Sequence, residues 1–161
     1  MAALTNPVFP IQVLLALITF TLLARWFVAP RLAGLPLETA LQPLLAFHAL
    51  RYIGLVFLAP GVPSPDLPQS FAAPAGIGTA IAGVLALLSI TALRARWPFA
   101  IPLVWVMNVE GLADFANAFV QGATSAVPTQ LGAAYYVPIV IVPAGIVTHV
   151  MMFGMLLRRR G

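Results

Sequence analysis

A chain of 161 residues that is 61% apolar and only 7% charged has too little polar surface to remain in water as a globular domain, so it reads as an integral membrane protein. All eight basic residues are arginine, and the lack of lysine excludes Schiff-base chemistry, a retinal pigment included. The lack of cysteine excludes disulfides, thiol redox couples, thiolate zinc sites and iron–sulfur clusters.

Five stretches reach the roughly 20 apolar residues that a bilayer core demands: residues 8–28, 36–59, 74–93, 99–120 and 133–157. The expected fold is therefore all-α, a single transmembrane bundle of five helices spanning residues 1–161. Turn formers fill the connections: Pro30 and Gly34, the proline-rich stretch from Pro60 to Pro74, Trp97-Pro98, and Gly122 to Gly132. Arg25 and Arg31 flank the first connection, Arg94 and Arg96 lie in the third, and Arg158, Arg159 and Arg160 close the chain, while the second and fourth connections have no basic residue. The positive-inside rule then puts the N-terminus outside and the C-terminus in the cytoplasm, in a cell membrane and most simply a bacterial inner membrane.

The first span could alternatively be a cleaved signal peptide, but no positive residue precedes it and Arg25 sits at its far end. In the second span, Arg51 and Tyr52 flank the azimuth of His48, so one helix face is expected to present an imidazole, a guanidinium and a phenol. Small residues recur through the third span, from Ala75 and Gly76 to Ala82 and Gly83, and predict a scaffold helix that neighbours approach closely. The fourth span carries Glu110, Asp114, Asn117 and Gln121 at helical spacing, a polar stripe running from mid-span to one end. Its inner half, apart from Trp105, offers nothing polar, which suggests a cavity open toward the outside and closed toward the cytoplasm. Asn108 points the other way and is expected to bond a neighbouring helix. In the fifth span, Pro138, Pro143 and Gly145 should bend or open the helix, beside a cavity or merely to serve packing. His149 shares the face of Tyr135, Pro138, Val142 and Gly145. Trp26, Trp97, Tyr135 and Tyr136 near span ends fit an aromatic belt, and the terminal arginine run an orientation signal.

Ionisable groups within a bilayer are costly and usually face the bundle interior. Counted at ~1.5 Å per residue from the arginine-bearing side, His48, Arg51, Glu110, Asp114 and His149 all fall ~13–25 Å deep, so three helices deliver charge to one layer. Arg51 demands a carboxylate or several carbonyls. With Glu110 and Asp114 both near its depth, the second acid is left to be protonated or balanced by a protonated histidine. A simple clamp that fixes helix register is the structural alternative, but a clamp needs one acid and one base rather than this surplus.

The stretches His48-Ala49-Leu50-Arg51-Tyr52, Asn108-Val109-Glu110-Gly111-Leu112-Ala113-Asp114 and Val147-Thr148-His149 resemble small bacterial membrane proteins. In size and helix number the chain is similar to the emopamil-binding isomerases and the translocator-protein group, which enclose sterols or porphyrins; the likeness is architectural and transfers no residue.

The function expected is binding of a small, lipophilic ligand in a buried polar site, with or without acid–base chemistry. Glu110, His48 and Asp114 are the candidate catalytic groups; Arg51, Tyr52, Asn117, Gln121, His149 and Tyr135 are the candidate ligand-binding groups. Transport along the polar stripe is an alternative that lacks polar groups on the inner side of a gate. An accessory subunit of a membrane complex is another, with His48 and His149 as axial ligands of a haem. Two neutral imidazoles at one level could equally bind a metal ion, although no metal-binding motif is present, and the sequence does not identify a cofactor. The expected partners are the lipid bilayer and the ligand, with an oligomer allowed; nucleic acid is set aside, because the arginines are spread in twos and threes along one membrane face.

Overall fold

The computed structural model describes residues 7–124 and 127–158. Five helices are long and apolar enough to cross a membrane: α1 (Val8–Leu32), α2 (Leu37–Leu58), α3 (Gln69–Arg94), α4 (Ala100–Thr124) and α5 (Gly132–Arg158). Their ends define an arginine end, where Arg31, Arg94 and Arg158 lie, and a proline end, formed by residues 59–68 and 127–131.

Proline reshapes these helices without ending them. Pro30 lacks the N–H that would bond the Trp26 carbonyl, and α1 widens into a π-helical turn over Ala24–Val28 before continuing to Leu32, past the expected boundary at residue 28. Pro74 lies within α3, which starts at Gln69 instead of at residue 74. Pro138 opens a second π-helical turn, Val137–Ile141, in α5. Helix α2 is α-helical only to Ala49 and then tightens into a 3-10 helix over Leu50–Leu58. Three residues per turn stack positions i, i+3 and i+6 on one line, and the buried residues of that segment are accordingly Arg51, Gly54 and Phe57.

Helix α3 packs against α2 and α4, whereas α5 packs against α2, α4 and α1. Thus α3 and α5 face each other across the bundle with α2 and α4 on the flanks, and α1 rides outside on α5. The inward face of α3 is made of Ala72, Ala75, Gly76, Thr79, Ala82, Gly83 and Ala86, so neighbouring backbones come close. At Gly54 a methyl group would collide with the Thr79 side chain, and at Gly76 it would stand 3.0 Å from Leu58.

Two apolar cores fill the bundle. One, toward the arginine end, is built on Leu41, Leu45, Val104, Met107, Met152 and Leu156. The other, toward the proline end, is built on Phe57, Leu67, Phe71, Val127 and Leu131. The two connections of the proline end are tied to each other, Ser64 N donating to Gln130 O (2.9 Å) and Ala133 N to Val62 O (3.3 Å). Gly132 allows this approach: its φ of +52° lies in the left-handed region, and a side chain there would strike the Val62 carbonyl. Outward faces carry large apolar groups such as Leu14, Leu15, Ile77, Val84, Val106 and Val150.

Candidate ligand-binding site

Between the two apolar cores lies a polar layer centred on Arg51, which is only 2% exposed. The last α-helical turn and first 3-10 turn of α2 aim His48 and Arg51 inward together. From there the guanidinium reaches every other helix of the central four. Its Nε donates to Thr79 Oγ1 on α3 (3.2 Å), and the Thr79 hydroxyl donates back to the Arg51 carbonyl (3.3 Å). Nη1 donates to the Gly111 carbonyl on α4 (3.0 Å) and to His149 Nε2 on α5 (3.2 Å). Nη2 is paired with Asp114 Oδ2 at 2.5 Å. The Phe115 ring covers one face of the guanidinium, 3.8 Å from its central carbon. A buried cation needs this combination of counter-charge and satisfied donors to be tolerated at all.

The histidines are equally constrained. His149 Nδ1 lies 2.6 Å from Asn108 Oδ1. An amide oxygen only accepts, so Nδ1 carries the proton and Nε2 offers its lone pair to Arg51. Asn108 Nδ2 completes the link by donating to the His149 carbonyl (3.3 Å), which fulfils the expectation that Asn108 bonds a neighbouring helix. His48 and His149 lie ring against ring, centroids 4.0 Å apart. His48 Nε2 meets Thr148 Oγ1 at 2.9 Å, and its buried Nδ1 has no hydrogen-bond partner among the described residues. Two imidazoles in contact, with both nitrogens of His149 already bonded, leave no room for a porphyrin between them and no free axial lone pair on His149. The geometry therefore does not suit the haem reading.

Above this layer, toward the proline end, the bundle holds a partly open cavity of about 330 Å³. Arg51, Thr79 and Asp114 are the polar side chains on its wall; the rest is apolar, with Phe9, Phe57, Phe71, Phe115 and Phe119 prominent. The π-helical turn of α5 borders it through Val137, Pro138 and Ile141, so the opened helix stands beside a cavity. The wall includes no residue of α4 before Asp114 and none of α5 beyond Val142. The cavity is thus closed toward the arginine end by the polar layer and the apolar core beneath it.

Of the sequence-selected residues, the structure brings together His48, Arg51, Asp114 and His149. Glu110 lies next to them on α4 but outside the cavity wall, and its buried Oε2 has no hydrogen-bond partner among the described residues. Tyr52 does not join: it is 57% exposed on the outer surface of α2, because a 3-10 step of 120° carries it off the face that Arg51 occupies. Asn117 is exposed and accepts a hydrogen bond from Gln121 (3.0 Å) away from the cavity. The stripe keeps its helical phase, yet Asp114 is its one member on the wall, and α4 turns Phe115, Ala118, Phe119 and Gly122 to the cavity instead. Tyr135, displaced by the π-helical turn from the His149 face, donates to Gln12 Oε1 on α1 (2.5 Å). Thr79 and Gly111 were not singled out from sequence. A threonine within a run of small residues looks like packing, and a glycine in a span carries no polar signal.

The chain belongs to the family described as a domain of unknown function, DUF8737, whose model matches residues 8–157. No curated protein and no solved structure matches it.

Proposed function

We propose that this is a multi-pass membrane protein that binds a small lipophilic molecule in the proline-end cavity, with its polar end against Arg51, Thr79 and Asp114. The observation that carries this reading is the coincidence of an apolar cavity with a fully organised polar floor: few convergent polar groups in a mainly apolar wall is the general form of a small-molecule site. The arginine end faces the cytoplasm in this proposal, in keeping with the positive-inside rule, and the cavity opens toward the opposite side of the membrane. If a proton is transferred, Asp114 is the group within reach of the ligand, since Glu110 and His48 do not border the cavity. Transport is less well supported, because the inner half of the bundle is packed with Leu41, Leu45, Val104, Met107 and Met152.

The test is native mass spectrometry of the protein released from membranes. A small-molecule adduct is expected on the wild type and should vanish in Ala118→Phe, which fills the cavity, and in Gly122→Leu, whose Cβ meets no atom within 4 Å. A bare mass for the wild type, or an adduct retained by both variants, would refute the proposal.

A further inference from the structure

The polar floor also carries information about the head group of its ligand. Arg51 is already matched by Asp114 at 2.5 Å, and both side chains reach the cavity wall. His149, with one nitrogen donating to Asn108 and the other accepting from Arg51, is a neutral imidazole. The wall facing the ligand is therefore an ion pair without net charge. An anionic head would have to come against the Asp114 carboxylate in a medium that screens poorly, and a cationic head against the guanidinium. A neutral head meets neither penalty.

Donor and acceptor accounting narrows the choice. Among the described residues, four of the five guanidinium N–H groups are engaged by Thr79, Gly111, His149 and Asp114, which leaves one N–H on Nη2, the nitrogen paired with Asp114. The Thr79 hydroxyl spends its one donor on the Arg51 carbonyl and accepts from Arg51 Nε, so it can only accept from a ligand. The floor therefore offers one donor, on Arg51, beside acceptor sites, chiefly on the carboxylate of Asp114. A hydroxyl satisfies both at once, accepting from the first and donating to the second; a ketone or an ether satisfies only the donor. Size follows from the cavity: about 330 Å³ is roughly twice the ~150 Å³ that accommodates benzene, room for on the order of a dozen non-hydrogen atoms. Resting on the ligand-binding reading above, we propose that the site selects an uncharged amphiphilic alcohol, an isoprenoid or alkyl alcohol of about ten carbons, over the acid or amine of the same skeleton.

The experiment uses the full chain in lipid nanodiscs and three probes that share one carbon skeleton: geraniol, geranic acid and geranylamine. Binding is read as stabilisation against thermal unfolding, with Ala118→Phe as the blank for partition into lipid. The wild type is expected to bind the alcohol at least tenfold more tightly than the acid or the amine. Asp114→Asn, which removes the carboxylate paired with Arg51 on the cavity wall, should reverse the order and favour the acid. An acid or amine that binds the wild type as tightly as the alcohol overturns the head-group inference while leaving the cavity reading standing. Failure of all three probes to stabilise the wild type beyond Ala118→Phe overturns both. Should Asp114→Asn fail to fold, the order of the three probes on the wild type decides alone.

Discussion

Gly111 is a tightly constrained position at the centre of the site. A methyl group there would stand 2.6 Å from Arg51 Nη1, 2.6 Å from His149 Cε1 and 2.7 Å from His149 Nε2, against the ~3.5 Å at which such atoms rest. Neither neighbour has anywhere to go. Arg51 is held by Thr79, Asp114 and the Gly111 carbonyl, and His149 by Asn108 at both its ring and its carbonyl. Alanine in mid-helix gains about 1 kcal/mol over glycine. Overpacking costs about 1–3 kcal/mol, and displacing a hydrogen bond to a charged group costs about 1.5–3 kcal/mol. Gly111→Ala is therefore expected to lose about 1.5–5 kcal/mol net. Gly154 in α5 is the control, because its added methyl would meet no atom within 4 Å, so Gly154→Ala should gain up to about 1 kcal/mol. Reversible unfolding in mixed micelles, followed by circular dichroism, measures both. A Gly111→Ala protein as stable as Gly154→Ala would refute the packing assigned to the polar layer.

Other perturbations have equally definite outcomes. Asp114→Asn strands a buried guanidinium and should cost about 3–5 kcal/mol, whereas the double variant Arg51→Met/Asp114→Leu should recover most of that loss; the same unfolding assay reads both. Thr79→Val removes the acceptor of Arg51 Nε and should cost about 1–3 kcal/mol. Asn108→Leu should leave the His149 Nδ1–H without its acceptor while Arg51 still holds Nε2 unprotonated, visible as a change in the Nδ1 ¹⁵N shift with little effect on His48. Tyr52→Phe should leave stability and ligand binding unchanged, since the phenol lies on the outer surface.

The five spans could be read from the chain because length and apolarity suffice to mark them, and the meeting of His48, Arg51, Asp114 and His149 followed from depth alone. What sequence could not supply was local helix geometry. Phase arguments at 100° per residue hold along α4, where the stripe keeps its register. They fail at Tyr52, where α2 has become a 3-10 helix, and at Tyr135, which a π-helical turn separates from His149. The direction of the stripe was also hidden. The cavity wall on α4 is its apolar face, with Phe115, Ala118 and Phe119, and a phenylalanine beside empty space has the same sequence signature as one in a packed core. Among the two acids, nothing in spacing chose Asp114 over Glu110; the choice is made by Gly78 of α3, which has no side chain to occupy the space taken by the Asp114 carboxylate.

The presence of one guanidinium locked inside the bundle is open to direct observation by ¹⁵N NMR of arginine-labelled protein. Among the described residues Arg51 is the one buried arginine, and Arg25, Arg31, Arg94, Arg96 and Arg158 are exposed. A set of resolved Nε and Nη proton signals protected from exchange with water is expected, absent from Arg51→Met and shifted when a bound alcohol reaches the cavity floor. Side-chain signals that are all averaged by exchange, with none lost in Arg51→Met, would contradict the polar floor and the binding site built on it.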